Sequence, residues 1–233
     1  MESKIIRPWH GGLGDSLQLS TLPEMFSKAG FDVYISDQTP FRNPEIYDFV
    51  WGNNPYVKGL SDEQGNCGDI EGIKYENTDN NFIMNWERVN GLVPKNRLPK
   101  VYYQPQDIPW LRYLTIADLS VDSLASHYNM DEVEKYIEEQ YSDDILYVLY
   151  GHNIKYNKGS DFELCYVESL EEYYNIMFSC KKFICLNSGG NSLAAALNKG
   201  KENVDCLVPN CELVRNMSAR YHFFYPNINY IWL

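Results

Sequence analysis

The pattern that most constrains this chain is a short apolar run that breaks into glycines and passes at once into a helical periodicity; it occurs twice. The first copy is Ile5-Ile6 followed by His10-Gly11-Gly12-Leu13-Gly14-Asp15, after which Leu17, Leu22, Met25 and Phe26 recur at roughly helical spacing. The second is Lys182–Leu186 followed by Asn187-Ser188-Gly189-Gly190-Asn191-Ser192, with Leu193–Asn198 helical. A strand, a glycine turn and a helix N-terminus together cradle an anion, because glycines let backbone N–H groups approach closely and the helix dipole favours negative charge. An acid inside the first cradle therefore has two readings. Asp15, like Ser16, is a good N-cap residue, and it also stands where a carboxylate can face a reacting group beyond the strand ends.

Around these two points the chain reads as α/β with mainly parallel strands. Ala29-Gly30 closes the opening helix and Phe31–Ser36 alternates like a second strand, giving a β-α-β unit. Asn43-Pro44 starts a turn or short helix, and Glu45–Gly52 leads back toward a third strand. Residues 60–81 are polar and turn-rich, with short strands expected around Ile70–Tyr75. A helix is expected over Asn81–Asn90, carrying Phe82, Trp86 and Val89 on one face, and a strand at Val101–Tyr103 among four prolines. The stretch 111–142 is read as the most helical region, with Asp131 as an N-cap. A second α/β unit starts at the strand Ile145–Tyr150 and includes a helix from Ser169 and strands at Lys182–Leu186 and Val204–Val208.

Net charge of −12 argues against a nucleic-acid or anionic-membrane binder, while leaving room for an anionic small ligand held by local loops. The six cysteines, Cys67, Cys165, Cys180, Cys185, Cys206 and Cys211, form no CxxC pair and read as reduced thiols of a cytoplasmic protein. Charge and a Pro-Trp-His turn within ten residues of the start leave no signal peptide, and no apolar run reaches the roughly 18–20 residues a span needs. The four histidines have no metal-type spacing, so no metal site is expected. His10 is either a site residue or a turn histidine bonded to backbone. Lys155 and Lys158 follow a strand's carboxyl end, where they serve either a ligand or only solvent. There is neither a G-x-x-x-x-G-K-[ST] loop nor a G-x-S-x-G elbow.

Gly12-Leu13-Gly14-Asp15 entering a helix, together with Ser188-Gly189-Gly190-Asn191-Ser192-Leu193-Ala194-Ala195-Ala196-Leu197, resembles the ADP-heptose:lipopolysaccharide heptosyltransferases, the family 9 glycosyltransferases of GT-B fold. Ser169-Leu170-Glu171, Lys182-Phe183-Ile184 and Asn54-Pro55-Tyr56-Val57 also look similar, so the likeness covers about the first 60 and last 90 residues. It implies two Rossmann-like lobes facing a cleft, 1–143 on the acceptor side and 144–233 on the donor side, the second lobe reduced to three or four strands. It implies that Asp15 is a general base, with His10, Gly11, Gly12, Leu13 and Gly14 forming the cleft loop beside it. Asn187, Ser188, Gly189, Gly190, Asn191 and Ser192 would meet the donor diphosphate, and Lys158 matches the lysine that the family places after the second lobe's first strand.

The expected function is transfer of a sugar from a nucleotide-sugar co-substrate to a hydroxyl on a glycan or glycolipid, with no cofactor or metal. The expected setting is cytoplasmic, without a transmembrane segment and with room for peripheral membrane contact. Two departures stand out. Asn187 replaces the family's carboxylate before Ser-Gly, and Ser192 replaces its histidine before Leu-Ala-Ala. They favour the alternative of a non-catalytic nucleotide-sugar or glycan-binding protein on a reduced scaffold. A nucleotide-sugar epimerase is a third reading, carried only by the Ser-Gly-Gly turn.

Overall fold

The computed structural model describes residues 2–8, 10–66, 81–120, 127–141, 145–150, 163–212 and 224–233. The chain divides into two compact units, one built on Met1–Tyr103 and one on Gln104–Asn216 with Pro226–Leu233. All paired strands in both are parallel.

In the first unit β1 (Ser3–Ile6), β2 (Asp32–Ser36) and β3 (Val57–Ser61) form a sheet in the order 1-2-3. The opening helix is two helices, α1 (Leu13–Leu19) and α2 (Leu22–Lys28). The break falls at Ser20, whose hydroxyl donates to the Leu17 carbonyl (2.7 Å) and accepts the Lys100 N–H (2.8 Å). Leu17 and Leu22 are fully buried and Phe26 nearly so, which explains the periodicity on both sides of the break. The segment expected to lead back toward a third strand forms a π-helical turn, Tyr47–Gly52, burying Phe49, Val50 and Trp51, and the chain then enters β3. α3 (Phe82–Val89) begins where expected, capped by the Asn81 side chain, which accepts the Met84 N–H at 3.1 Å. Val101–Tyr103 is not a strand; Tyr102 instead donates its hydroxyl to Glu24 (3.3 Å). The strands expected near Ile70–Tyr75 lie outside the described residues.

The second unit is not reduced. β4 (Thr115–Asp118), β5 (Ile145–Tyr150), β6 (Glu163–Val167), β7 (Lys182–Leu186), β8 (Val204–Val208) and β9 (Asn229–Trp232) form a sheet in the order 6-5-4-7-8-9. Counted from its own first strand this is 3-2-1-4-5-6, the doubly wound dinucleotide-binding order, with its switch point between β4 and β7. The expected boundary at 143/144 is therefore wrong: residues 104–143 contribute the innermost strand β4 and the helix α4 (Met130–Gln140) to the second unit. α4 starts after Asn129 rather than at an Asp131 cap, and its Val133 and Ile137 pack with Ala117, Leu119, Tyr147, Ile184, Leu186 and Leu207. α5 (Leu170–Ser179) is capped by Ser169, whose Oγ accepts the Glu172 N–H (3.1 Å), and α6 (Gly189–Leu197) follows β7.

Candidate functional site

Each unit carries one glycine turn at the carboxyl end of a strand, and the two are built differently. In the first unit β1 ends at the buried Ile6, and the chain reaches Gly11 with φ +62°. A Cβ there would lie 2.0 Å from the Pro40 carbonyl oxygen, so only glycine allows the turn to sit against the loop after β2. That loop is tied to it twice: the Arg42 N–H donates to the Gly11 carbonyl (3.0 Å), and Arg42 Nε to the His10 carbonyl (3.3 Å). His10 is thus held through its backbone, with its residue exposed.

Gly12, neither Asp15 nor Ser16, is the N-cap of α1. Asp15 is the third helical residue, and its Oδ2 accepts the Gly12 N–H at 3.1 Å, the reach-back half of a capping box. Its Oδ1 takes no hydrogen bond among the described residues, and the side chain is half-buried. The Gly12 N–H thus fixes the orientation of the carboxylate through one oxygen. Leu13 and Gly14 are half-buried in the same turn, and Ser16 is fully buried behind it.

In the second unit β7 ends at Leu186, and Ser188 caps α6 by accepting the Gly190 N–H on Oγ (3.2 Å). Gly189 is half-exposed at the first helical position. Asn187 and Asn191 serve each other, Asn191 Nδ2 donating to Asn187 Oδ1 (3.2 Å), while the Tyr230 hydroxyl donates to Asn191 Oδ1 (3.3 Å). The Asn187 N–H donates to the Tyr128 hydroxyl (2.9 Å), which donates onward to the Leu207 carbonyl (2.8 Å) and so ties the ends of β7 and β8 together. Ser192 is buried in the first turn of α6.

Beneath this turn lies a pair the sequence reading missed. Asp118, the last residue of β4, is 3% exposed. Its Oδ1 accepts the Ser120 N–H (2.8 Å) and its Oδ2 accepts the hydroxyl of Tyr173 on α5. Burial pushes the Asp118 carboxyl up, with the bonds from Ser120 and Tyr173 working against it. Burial also drives the Tyr173 phenol well above its ordinary value, helped by the neighbouring Asp118. A Cβ on Gly190 would lie 2.7 Å from the Tyr173 hydroxyl and 3.0 Å from Asp118 Oδ2, so α6 starts in direct contact with the pair. The available signal was an acid ending a short apolar run, Thr115-Ile116-Ala117-Asp118.

Lys155 and Lys158 lie outside the described residues. The positional argument for Lys158 does not hold, since the second unit's first strand is β4 whereas Lys158 follows β5. Among the described residues no group of three or more His, Cys, Asp or Glu side chains is placed to hold a metal ion, and no helix is long and apolar enough to cross a membrane.

No family model matches the sequence, and no curated protein matches it either. Solved structures do match. The iron-containing dodecameric heptosyltransferase TibC of enterotoxigenic E. coli, in complex with ADP-D-beta-D-heptose, superposes with a TM-score of 0.61 at 17% identity, covering 89% of this chain and 59% of TibC. A glycosyl transferase family 9 protein from Veillonella parvula gives 0.61 at 9% identity over 99% of this chain and 85% of its own. The ADP-heptose lps heptosyltransferase II of E. coli gives 0.58 at 12% identity over 100% and 90%. The chain therefore has the parallel α/β, Rossmann-like architecture of these GT-B-type glycosyltransferases, extending through the middle residues that no motif reached, and it spans 59% of TibC's length.

Proposed function

We propose that the chain is a glycosyltransferase that moves a sugar from a nucleotide-sugar donor to a hydroxyl of a glycan or glycolipid. The observation that carries this is the Asp15 carboxylate: Oδ2 is fixed by the Gly12 N–H while Oδ1 has no partner among the described residues. A general base needs that combination of fixed orientation and an open lone pair. Asp15 takes the proton from the acceptor hydroxyl as that oxygen attacks the anomeric carbon; the bond from that carbon to the diphosphate breaks, and the nucleoside diphosphate leaves.

The donor site belongs to the second unit. In a 3-2-1-4-5-6 sheet ligands bind beyond the carboxyl ends of the strands at the switch point, which here falls between β4 and β7. Ser188, Gly189, Gly190 and the first turn of α6 stand at the end of β7 and supply backbone N–H groups and a helix dipole to the diphosphate as its charge grows. The reaction then proceeds without a metal or other cofactor. The protein works in the cytoplasm, reaching lipid-borne acceptors at most by peripheral contact.

The second reading, a non-catalytic nucleotide-sugar or glycan binder, is favoured by one observation. Asn187 occupies the resembled family's carboxylate position, and its side chain is bonded to Asn191. A thermal-shift screen against nucleoside diphosphates and nucleotide sugars, followed by detection of released diphosphate with the hits, separates the two. A ligand at about 100 times its Kd raises stability by roughly 2.7 kcal/mol. Binding with release supports the transferase, binding without release supports the binder, and no shift with any compound contradicts both nucleotide readings.

A further inference from the structure

Among the described residues Asp118 is the one buried carboxyl at the switch point, and the proposed function gives it no task. Among the described residues its surroundings supply no counter-charge. From α5 it meets the Tyr173 hydroxyl, from its own following loop the Ser120 N–H, from α6 the uncharged Gly190 beside the Ser188 hydroxyl, and from β7 the fully buried Cys185 thiol. Tyr173 in turn is stacked on Tyr150 of β5 (ring centroids 5.7 Å apart, planes at 15°) and meets Phe183 of β7 edge-on (6.2 Å). Among the described residues no lysine, arginine or histidine is paired with Asp118.

An ionised carboxylate in such a place is costly twice over. It is desolvated without a cation, and it lies under the first turn of a helix that is to receive an anion. We infer that Asp118, through Tyr173, is a positioning residue for the donor diphosphate: in its neutral form it seats the Ser188–Gly190 turn against β4, and in its ionised form it opposes an anion bound there. This rests on the donor site proposed above and adds to it a specific protonation requirement. One carboxyl oxygen accepts the Ser120 N–H and the other accepts the Tyr173 hydroxyl, which fixes the group between β4 and α5.

Asp118→Asn tests this, because the amide keeps the size, accepts from Ser120 and donates to Tyr173, yet never ionises. ADP, UDP and GDP are titrated calorimetrically into the full chain and the variant between pH 6 and pH 9. Titration of the nucleotide's own phosphate is common to both proteins and cancels in their ratio. The expected result is that parental affinity for the bound diphosphate falls over this range at least about fivefold more than that of the variant, whose affinity at the high end exceeds the parent's. Parallel pH profiles for the two proteins overturn the inference while leaving the donor site standing. A parent that binds none of the three at any pH overturns the donor site and the inference with it. A variant that melts far below the parent is replaced by Tyr173→Phe, which removes the hydroxyl that donates to Asp118 and favours its ionised form, and is expected to raise the pH at which affinity begins to fall; an unmoved profile contradicts the inference.

Discussion

The two glycine turns answer the same sequence pattern with opposite placements of an acid. In the first unit the acid rides on the helix: Asp15 is half-buried, holds Gly12 with one oxygen and presents the other. In the second the acid lies under the helix: Asp118 is buried on β4, and the turn carries only hydroxyls, amides and glycines. The glycines differ accordingly. Gly11 is required by a positive φ and by a neighbouring backbone, whereas Gly190 is required by the side chains of Asp118 and Tyr173. A half-buried acid with one oxygen unbonded among the described residues suits proton transfer, while a buried acid suits setting the charge beneath an anion.

The sharpest way to break this contrast is Gly11→Ala. The new methyl would stand 2.0 Å from a backbone oxygen that cannot rotate away, at φ +62°. Left-handed strain and overpacking together are expected to cost about 3 kcal/mol or more in urea unfolding of the full chain. Gly190→Ala meets side-chain atoms instead, which can shift, so about 1–3 kcal/mol is expected, with diphosphate affinity falling as well. A smaller loss from Gly11→Ala than from Gly190→Ala would reverse the comparison.

A comparable stability effect belongs to Glu87, a fully buried carboxylate in the first unit. It accepts from the Thr21 hydroxyl (2.9 Å), the Lys95 and Asn96 N–H groups (2.7 and 3.2 Å) and the Asn96 amide (2.5 Å). Glu87→Gln turns a donor toward one of these donors and is expected to cost about 1.5–3 kcal/mol, without touching diphosphate binding.

The smallest effect is a pH dependence. Burial alone would raise the Glu24 carboxyl, but its bonds to Lys100 and Lys28 outweigh that and hold it at about 2 rather than the ordinary 4.5. A lowered folded-state value means the contribution is present above pH 4.5 and is lost as pH falls toward 2. Glu24→Gln should lower the melting temperature above pH 4.5, where that contribution is present, and converge on the parent as pH falls toward 2.

Much of this architecture could be read from the residues, for identifiable reasons. The opening β-α-β unit, α3 and α5 announce themselves through caps (Asn81 and Ser169) and through helical spacing that the buried faces then use. β4 could not be read, because a central strand buried on both faces needs only four residues, Thr115–Asp118, and shows no alternation. Missing it moved the boundary from 103/104 to 143/144, made the second unit look short and hid Asp118. Val101–Tyr103 misled in the other direction: its strand-forming side chains are explained by Tyr102 reaching Glu24, not by a sheet. Asp15 was visible by type and place, but only the geometry separates the oxygen that caps from the oxygen that is open.

That separation makes Asp15→Asn the most direct measurement. The amide oxygen can still accept the Gly12 N–H, and asparagine is about as good as aspartate at a helix start, so the melting temperature should stay near the parent's. The amide cannot take a proton, and general-base assistance is worth about 10²–10⁴-fold in rate. With a donor identified by the thermal-shift screen, sugar transfer by Asp15→Asn is expected to be at least about a hundredfold slower than the parent's, with donor affinity unchanged. Transfer at the parental rate would show that Asp15 only caps α1, and the catalytic assignment would fall.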